Sequence, residues 1–179
     1  PQFGIRLDSK GSGVGWSVSL FNPTGGPKKS DGSDRVAFTG RIFGAPINTD
    51  SKTLHLGIAI TDRNIDQPIE QKGFALDIAE AGGKLDSSSL TIDSDRQWGI
   101  EGLYILGPFS LQSEVFIKKV GGAHGGPDGD VHHYYSQVTY SLTGERRGYK
   151  AKSGTADPIK PSANRWAVEL VGKLDHIEL

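Results

Sequence analysis

Eight stretches of this chain carry apolar residues on every second position, with Gly, Ser, Thr and charged residues filling the positions between them. Over 52–63, Leu54, Leu56, Ile58 and Ile60 fall on one face, while His55, Gly57, Ala59, Thr61 and Arg63 fall on the other. A side-chain period of two belongs to the extended strand, whose successive residues point to opposite sides. Each strand therefore meets two different environments. Which environment lies on which face decides what the chain can do.

The remaining stretches repeat the pattern. Phe3, Ile5 and Leu7 alternate with Arg6 and Asp8, and Val14, Trp16, Val18 and Leu20 alternate with Gly15, Ser17 and Ser19. Val36, Phe38 and Ile42 oppose Arg35, Thr39 and Arg41, whereas Trp98, Ile100, Tyr104 and Leu106 oppose Gln97, Gly99 and Glu101. Phe109, Leu111, Val115 and Ile117 alternate with Ser110, Gln112, Glu114 and Lys118. Tyr134, Val138, Tyr140 and Leu142 stand against His133, Gln137, Thr139 and Ser141, and Trp166, Val168, Leu170 and Leu174 against Arg165, Glu169, Lys173 and Asp175. No helix-period stripe competes, so the fold class is all-β.

Composition decides between a dry and a wet interior. Only 35% of the 179 residues are hydrophobic, and 25 are Gly, about twice the usual ~7% share. A soluble all-β domain must fill a dry core and needs more apolar residues than this. A barrel with a wet interior needs only its outer face apolar, so this composition predicts a transmembrane antiparallel up-and-down β-barrel. The formal net charge of −1 argues against a nucleic-acid partner. The lack of Cys excludes disulfides and Cys-based zinc sites. No stretch approaches the ~20 apolar residues of a membrane-spanning helix. The chain starts at Pro1 without a signal peptide and ends as a strand fades at Asp175–Leu179, which reads as a processed or partial chain.

Connector lengths add an orientation. The segments between strands are 9–12, 23–33, 44–51, 64–95, 107–108, 121–130 and 144–163, and the first six alternate short and long. In an up-and-down barrel successive connectors emerge at opposite rims, with short periplasmic turns and long external loops. Parity assigns 23–33, 64–95 and 121–130 to the outside. The seventh connector falls at the short-turn rim, yet it is long and carries Arg146, Arg147, Lys150, Lys152 and Lys160 against Glu145 and Asp157. A long polar connector where short ones are the rule is expected to be functional and to fold into the lumen. Trp16, Trp98, Tyr104, Phe109, Tyr134, Tyr140 and Trp166 lie on apolar faces, several near strand ends, as the aromatic girdles of such barrels do.

Several segments resemble the phosphate-selective porins O and P of Gram-negative outer membranes. Gly99-Ile-Glu101-Gly-Leu followed by Gly107-Pro-Phe-Ser-Leu-Gln-Ser-Glu114 is similar to that family's "GLEG … GPFSLQGEY" hairpin. Tyr134-Tyr-Ser-Gln-Val-Thr-Tyr-Ser-Leu-Thr-Gly-Glu145-Arg resembles its "YYVQ.SY.LTGE.R" strand, followed by Tyr149, Gly154, Ile159-Lys-Pro161 and a "GAWEL"-like Asn164-Arg-Trp-Ala-Val-Glu-Leu170. Upstream, Val36 to Pro46 and Leu54-His-Leu-Gly57 are similar to its "V.GR….P" and "LHLG" pieces. The chain departs from the pattern at Arg165, where a small residue is expected, and in lacking the usual Arg-Tyr-Ser ending.

The resemblance implies a trimeric outer-membrane porin of about 16 strands that passes phosphate or related small anions through an Arg- and Lys-lined pore, of which these eight strands are an internal run. It also implies that a late periplasmic turn folds into the pore with its lysines, and 144–163 matches that turn in place and composition. An anion path needs cations that bind weakly enough to release. Arg suits phosphate through its planar fork, and Lys adds a mobile point charge. The expected anion-binding residues are Arg146, Arg147, Lys150 and Lys160 on the connector, and Arg35, Arg41, Arg63 and Lys118 on the strands. The plainer use for the strand cations is pairing with Asp8, Glu101, Glu114, Glu169 and Asp175 on neighbouring strands. Lys28 and Lys29 sit in an external loop where solubility explains them.

Other patterns carry less. Gly11-Ser-Gly-Val-Gly15 reads as a hairpin turn, because no helix follows to complete a phosphate cradle. His124, Asp128, Asp130, His132 and His133 read as a loop entering a strand, so no metal and no cofactor is expected, and no nucleophile or acid–base pair points to an enzyme. The competing functions are a general diffusion porin of low selectivity and a secreted β-sandwich that binds sugars. An eight-stranded barrel complete in itself would have an interior filled by side chains, and would conduct poorly.

Overall fold

The computed structural model describes residues 4–10, 13–21, 37–71, 74–75, 84–85, 90–122, 128–161 and 166–178. The strands are β1 (Gly4–Lys10), β2 (Val14–Phe21), β3 (Ala37–Asn48), β4 (Lys52–Gln71), β5 (Phe74–Ala75), β6 (Lys84–Leu85), β7 (Leu90–Leu106), β8 (Phe109–Gly122), β9 (Gly129–Ser141), β10 (Tyr149–Lys150), β11 (Thr155–Ala156) and β12 (Glu169–Glu178). Eight of them form one sheet in the order β1-β2-β3-β4-β7-β8-β9-β12, and every neighbouring pair is antiparallel. That is the up-and-down order expected from the alternation. Strands β1 and β12 are the two edges, so these residues form an open run of such a sheet rather than a closed one.

The two faces have inverted burial. Ile42, Leu56, Ile58, Ile100, Val115, Val138, Leu170 and Leu174 are exposed, several by more than half of their surface. On the other face Thr53, His55, Ser110, Thr139 and Ser141 are 0–3% exposed. In water this arrangement would forfeit the hydrophobic driving force of folding, since apolar area removed from water is its main source. It suits a sheet whose outward side meets hydrocarbon.

Several connector boundaries differ from the sequence expectation. The 64–95 connector is shorter, because β4 and β7 continue pairing through Ile69↔Ile92, Glu70↔Thr91 and Gln71↔Leu90, with β5 and β6 making a small separate hairpin. Backbone ladders do not require an apolar face, so the side-chain pattern fades before the strands end. The 44–51 connector reduces to residues 49–51, with β3 running to Asn48 across an irregularity between Gly44 and Ile47. Pro46 explains the break, since it has no N–H to give the ladder. At 107–108 the expected tight turn is present, with Gly107 at φ 53°, a conformation that favours Gly. The last large strand begins at Glu169 rather than near Trp166, whose side chain is 87% exposed. The connector before it holds the β10–β11 hairpin, pairing Tyr149 with Ala156 and Lys150 with Thr155.

Candidate functional site

Three adjacent registered rows run across the polar face. The middle row is Gly15, Phe43, Gly57, Glu101, Glu114, Tyr135 and Asp175, one residue per strand from β2 to β12. Toward the long-loop rim lies a row containing Arg41, Ala59, Gly99, Phe116 and His133. Toward the short-turn rim lies a row containing His55, Leu103, Gln112, Gln137 and Lys173. The period of two makes these rows: all the acids of the middle row share one face because their strands pair in register.

The carboxylates of the middle row take their partners from the flanking rows and, for Glu114, also from Tyr135 beside it in the same row. Glu101 Oε1 accepts from Arg41 Nε at 3.0 Å and Nη2 at 2.5 Å, and lies 3.1 Å from His55 Nε2. Glu114 Oε1 accepts from the Tyr135 hydroxyl at 2.6 Å and from Gln112 at 3.0 Å. Asp175 pairs with Lys173 at 2.7 Å and His133 at 2.6 Å, and the Lys173 ammonium lies 4.7 Å from the Tyr135 ring centroid. Gly57 matters locally: a Cβ there would collide with the Glu101 side chain, so only Gly lets that side chain lie across β4 toward Arg41.

The 144–161 connector covers the short-turn end of this face. Arg146 Nη2 donates to the Thr53 hydroxyl at 2.6 Å and the Thr49 carbonyl at 3.3 Å. The Tyr149 hydroxyl lies 2.8 Å from His55 Nδ1. Arg41 donates to the carbonyls of Ser153 at 2.9 Å and Gly154 at 3.3 Å, and stacks 4.4 Å from the Phe43 ring centroid. Gly154, at φ 65°, is buried against Phe43 and His55 so closely that any side chain would strike them. A cavity of about 190 Å³ remains between hairpin and sheet, bordered by Arg41, His55, Glu101, Gln112, Glu114 and Gly154. Burial raises the Tyr149 phenol above its ordinary value, an effect that nearby Arg41 opposes and Glu101 reinforces. At the connector's start, the hydroxyls of Thr143 and Ser141 and its own backbone N–H hold the Glu145 carboxyl below the usual range.

The expected anion-binding cations have different surroundings. Arg41 is committed to Glu101 and two connector carbonyls. Arg63 pairs with buried Asp95, and Lys118 lies 3.5 Å from the same carboxylate. Arg147 makes a two-point contact with Glu169, at 3.3 and 2.6 Å, and Lys150 pairs with Asp157 at 2.5 Å. Among the described residues Arg146 meets only neutral oxygens, and its buried Nε has no hydrogen-bond partner there. Lys160 is exposed. Arg35, and with it Lys28, Lys29, His124 and Arg165, lies outside the described residues.

Phe43, Leu103 and Ile105 were not anticipated on the polar face, where they are 7%, 5% and 0% exposed. The sequence did carry a sign of them. Leu103-Tyr104-Ile105-Leu106 is a continuous apolar run, which implies that both faces are covered at that point; on the polar side Leu103 shares a cavity wall with Gly154, Thr155 and Ala156 of the connector.

An open run of an up-and-down sheet with a clad polar face and an exposed apolar face is porin-like architecture. The family model described as "Phosphate-selective porin O and P" matches residues 1–179, and the chain belongs to that family. Among curated proteins it is similar to "Porin O" of Pseudomonas aeruginosa (strain PAO1), at 29% identity over 84% of this chain and 39% of that protein. The chain thus spans well under half the length of that relative.

Proposed function

We propose that this chain is part of an outer-membrane porin of a Gram-negative bacterium that passes phosphate or related small anions, and that the connector 144–161 lies in the ion path. The family membership supports the porin reading. The observation that carries the site is the seating of a basic connector on the polar face, through Arg146–Thr53, Tyr149–His55 and Arg41–Gly154. Cations whose charge no carboxylate cancels act most strongly on a passing anion. Arg146 and Lys160 therefore lead. Arg147, Lys150, Arg41, Arg63 and Lys118, each sharing an acid, contribute less, and Arg35 completes the set. A homotrimer fits the family, and the role is conduction, without a cofactor or catalysis.

The test is the zero-current potential of the full-length protein in a planar bilayer under a salt gradient. Replacing Arg146 and Lys160 together with Gln should reduce anion preference and weaken phosphate block of chloride current severalfold, while replacing Arg63 should do less. Unchanged selectivity in the double variant would refute the assignment. A channel without anion preference in the unmodified protein would favour the general diffusion reading instead.

A further inference from the structure

Four residues to which the ion path gives little or no part come together at one point. Arg41 lies in the Val36–Pro46 piece that resembles the family, His55 in Leu54–Gly57, Glu101 in Gly99–Leu103, and Tyr149 just after the Tyr134–Arg146 strand. Across 60, 46 and 94 residues of chain they make the contacts Arg41–Glu101, His55–Glu101 and His55–Tyr149. A carboxylate can only accept, so the hydrogen on His55 Nε2 points to Glu101, and the ring's other nitrogen is left for the Tyr149 hydroxyl.

From the single oxygen Glu101 Oε1 two arms reach the connector. One runs through His55 to the Tyr149 hydroxyl. The other runs through the Arg41 guanidinium to the carbonyls of Ser153 and Gly154, at the turn of the β10–β11 hairpin. Both ends of the hairpin are thereby tied to one carboxylate. His55 is 2% exposed and Gly154 is buried. Hydrogen bonds in such a place are strengthened by the low local dielectric, and leaving them unmade costs more than it would in water. Gly57 provides the room that Glu101 needs, and Gly154 the room that the hairpin needs.

We propose that Glu101, His55, Arg41 and Tyr149 form a latch that seats the connector hairpin, and that Glu101 is a positioning residue which sets the width of the passage without touching the ion. The consequence for Arg41 is specific. Its fork is spent on a carboxylate and two backbone carbonyls, so it chiefly holds the hairpin in place and adds little to the pull on a passing anion. The inference rests on the reading of the polar face as an ion path, but the latch itself can be tested apart from conduction.

The reporter is Leu103→Cys in the full-length protein, at a position 5% exposed beneath the hairpin in a chain that has no Cys of its own. Reaction of that thiol with a charged, water-soluble maleimide should be slow. Adding Tyr149→Phe removes one hydroxyl and no charge; adding Glu101→Gln weakens both arms. Either should speed labelling at least tenfold, and single-channel records should show frequent switching between conductance levels. The barrel's resistance to unheated detergent monitors assembly, and Tyr149→Phe decides the question if Glu101→Gln does not assemble. Labelling unchanged by Tyr149→Phe, in an anion-selective channel, overturns the latch and leaves the anion reading standing. Faster labelling in a channel without anion preference supports the latch and overturns the anion reading.

Discussion

The two faces of β4 follow opposite rules. Leu56 and Ile58 are 52% and 57% exposed, while Thr53 and His55, on the same strand, are 0% and 2% exposed. Over Leu54–Ile60 the outward side chains are apolar and few contacts are specific; only beyond them, toward the long-loop rim, does a charged pair, Asp62–Arg96, lie on this side. On the other face almost every polar group has a named partner on a strand or on the connector. The apolar face is held by its medium, and tolerates change that keeps it apolar. The polar face is held by register, because each partner lies on a different strand, and a change there is felt at one address. Hydrocarbon asks only for the absence of charge, whereas a wet, crowded passage asks for particular pairs.

The largest expected effect tests the outward face. Leu56→Arg should destabilise the folded protein by ~2–4 kcal/mol, the usual range for a charge placed near the bilayer midplane, whereas Leu170→Arg, at the second residue of β12 and so close to the short-turn interface, should cost only ~0–1 kcal/mol. Thr61→Arg, on the polar face of β4, should cost about 1 kcal/mol, chiefly through the lost bond to Thr39. Denaturant unfolding from lipid vesicles measures both. Equal losses would mean that the faces are equivalent and that the sheet is one wall of a dry two-sided core.

A smaller effect tests the clad part of the polar face. Gly154→Val should cost about 1–3 kcal/mol through backbone strain at φ 65° and collision with Phe43 and His55. Because the connector can lift away, the loss should appear as local opening: hydrogen exchange should quicken in 148–157 and stay unchanged in β4 and β7. Exchange that rises across the whole sheet would mean that the connector is integral to the barrel wall.

Much of the fold was legible because alternation is local. Each strand announces its own two faces, and the turn at Gly107-Pro108 and the misplaced connector could be found from spacing alone. Strand ends were less legible, since β4 and β7 go on pairing at Ile69↔Ile92 after their side-chain pattern fades. The site was the least legible. Sequence named Arg41 and Glu101 as opposite charges on polar faces, but which acid meets which cation depends on register across β3, β4 and β7. His55 read as one polar-face residue among many until Glu101 and Tyr149 were placed on either side of it. Phe43 and Leu103 were not anticipated for the same reason: the hairpin residues that border them lie far along the chain, and the only local sign is the unbroken apolar run Leu103-Tyr104-Ile105-Leu106.

The central claim is that the polar face is the wet one. It is tested most directly by single cysteines along β4 of the full-length protein in vesicles, at Ile58 and Ile60 on one face and at Ala59 and Thr61 on the other, treated with a membrane-impermeant charged thiol reagent. The account predicts that thiols at 59 and 61 react and that those at 58 and 60 are protected, giving a period of two in labelling. Reaction at 58 and 60 with protection at 59 and 61, or no alternation at all, would contradict it.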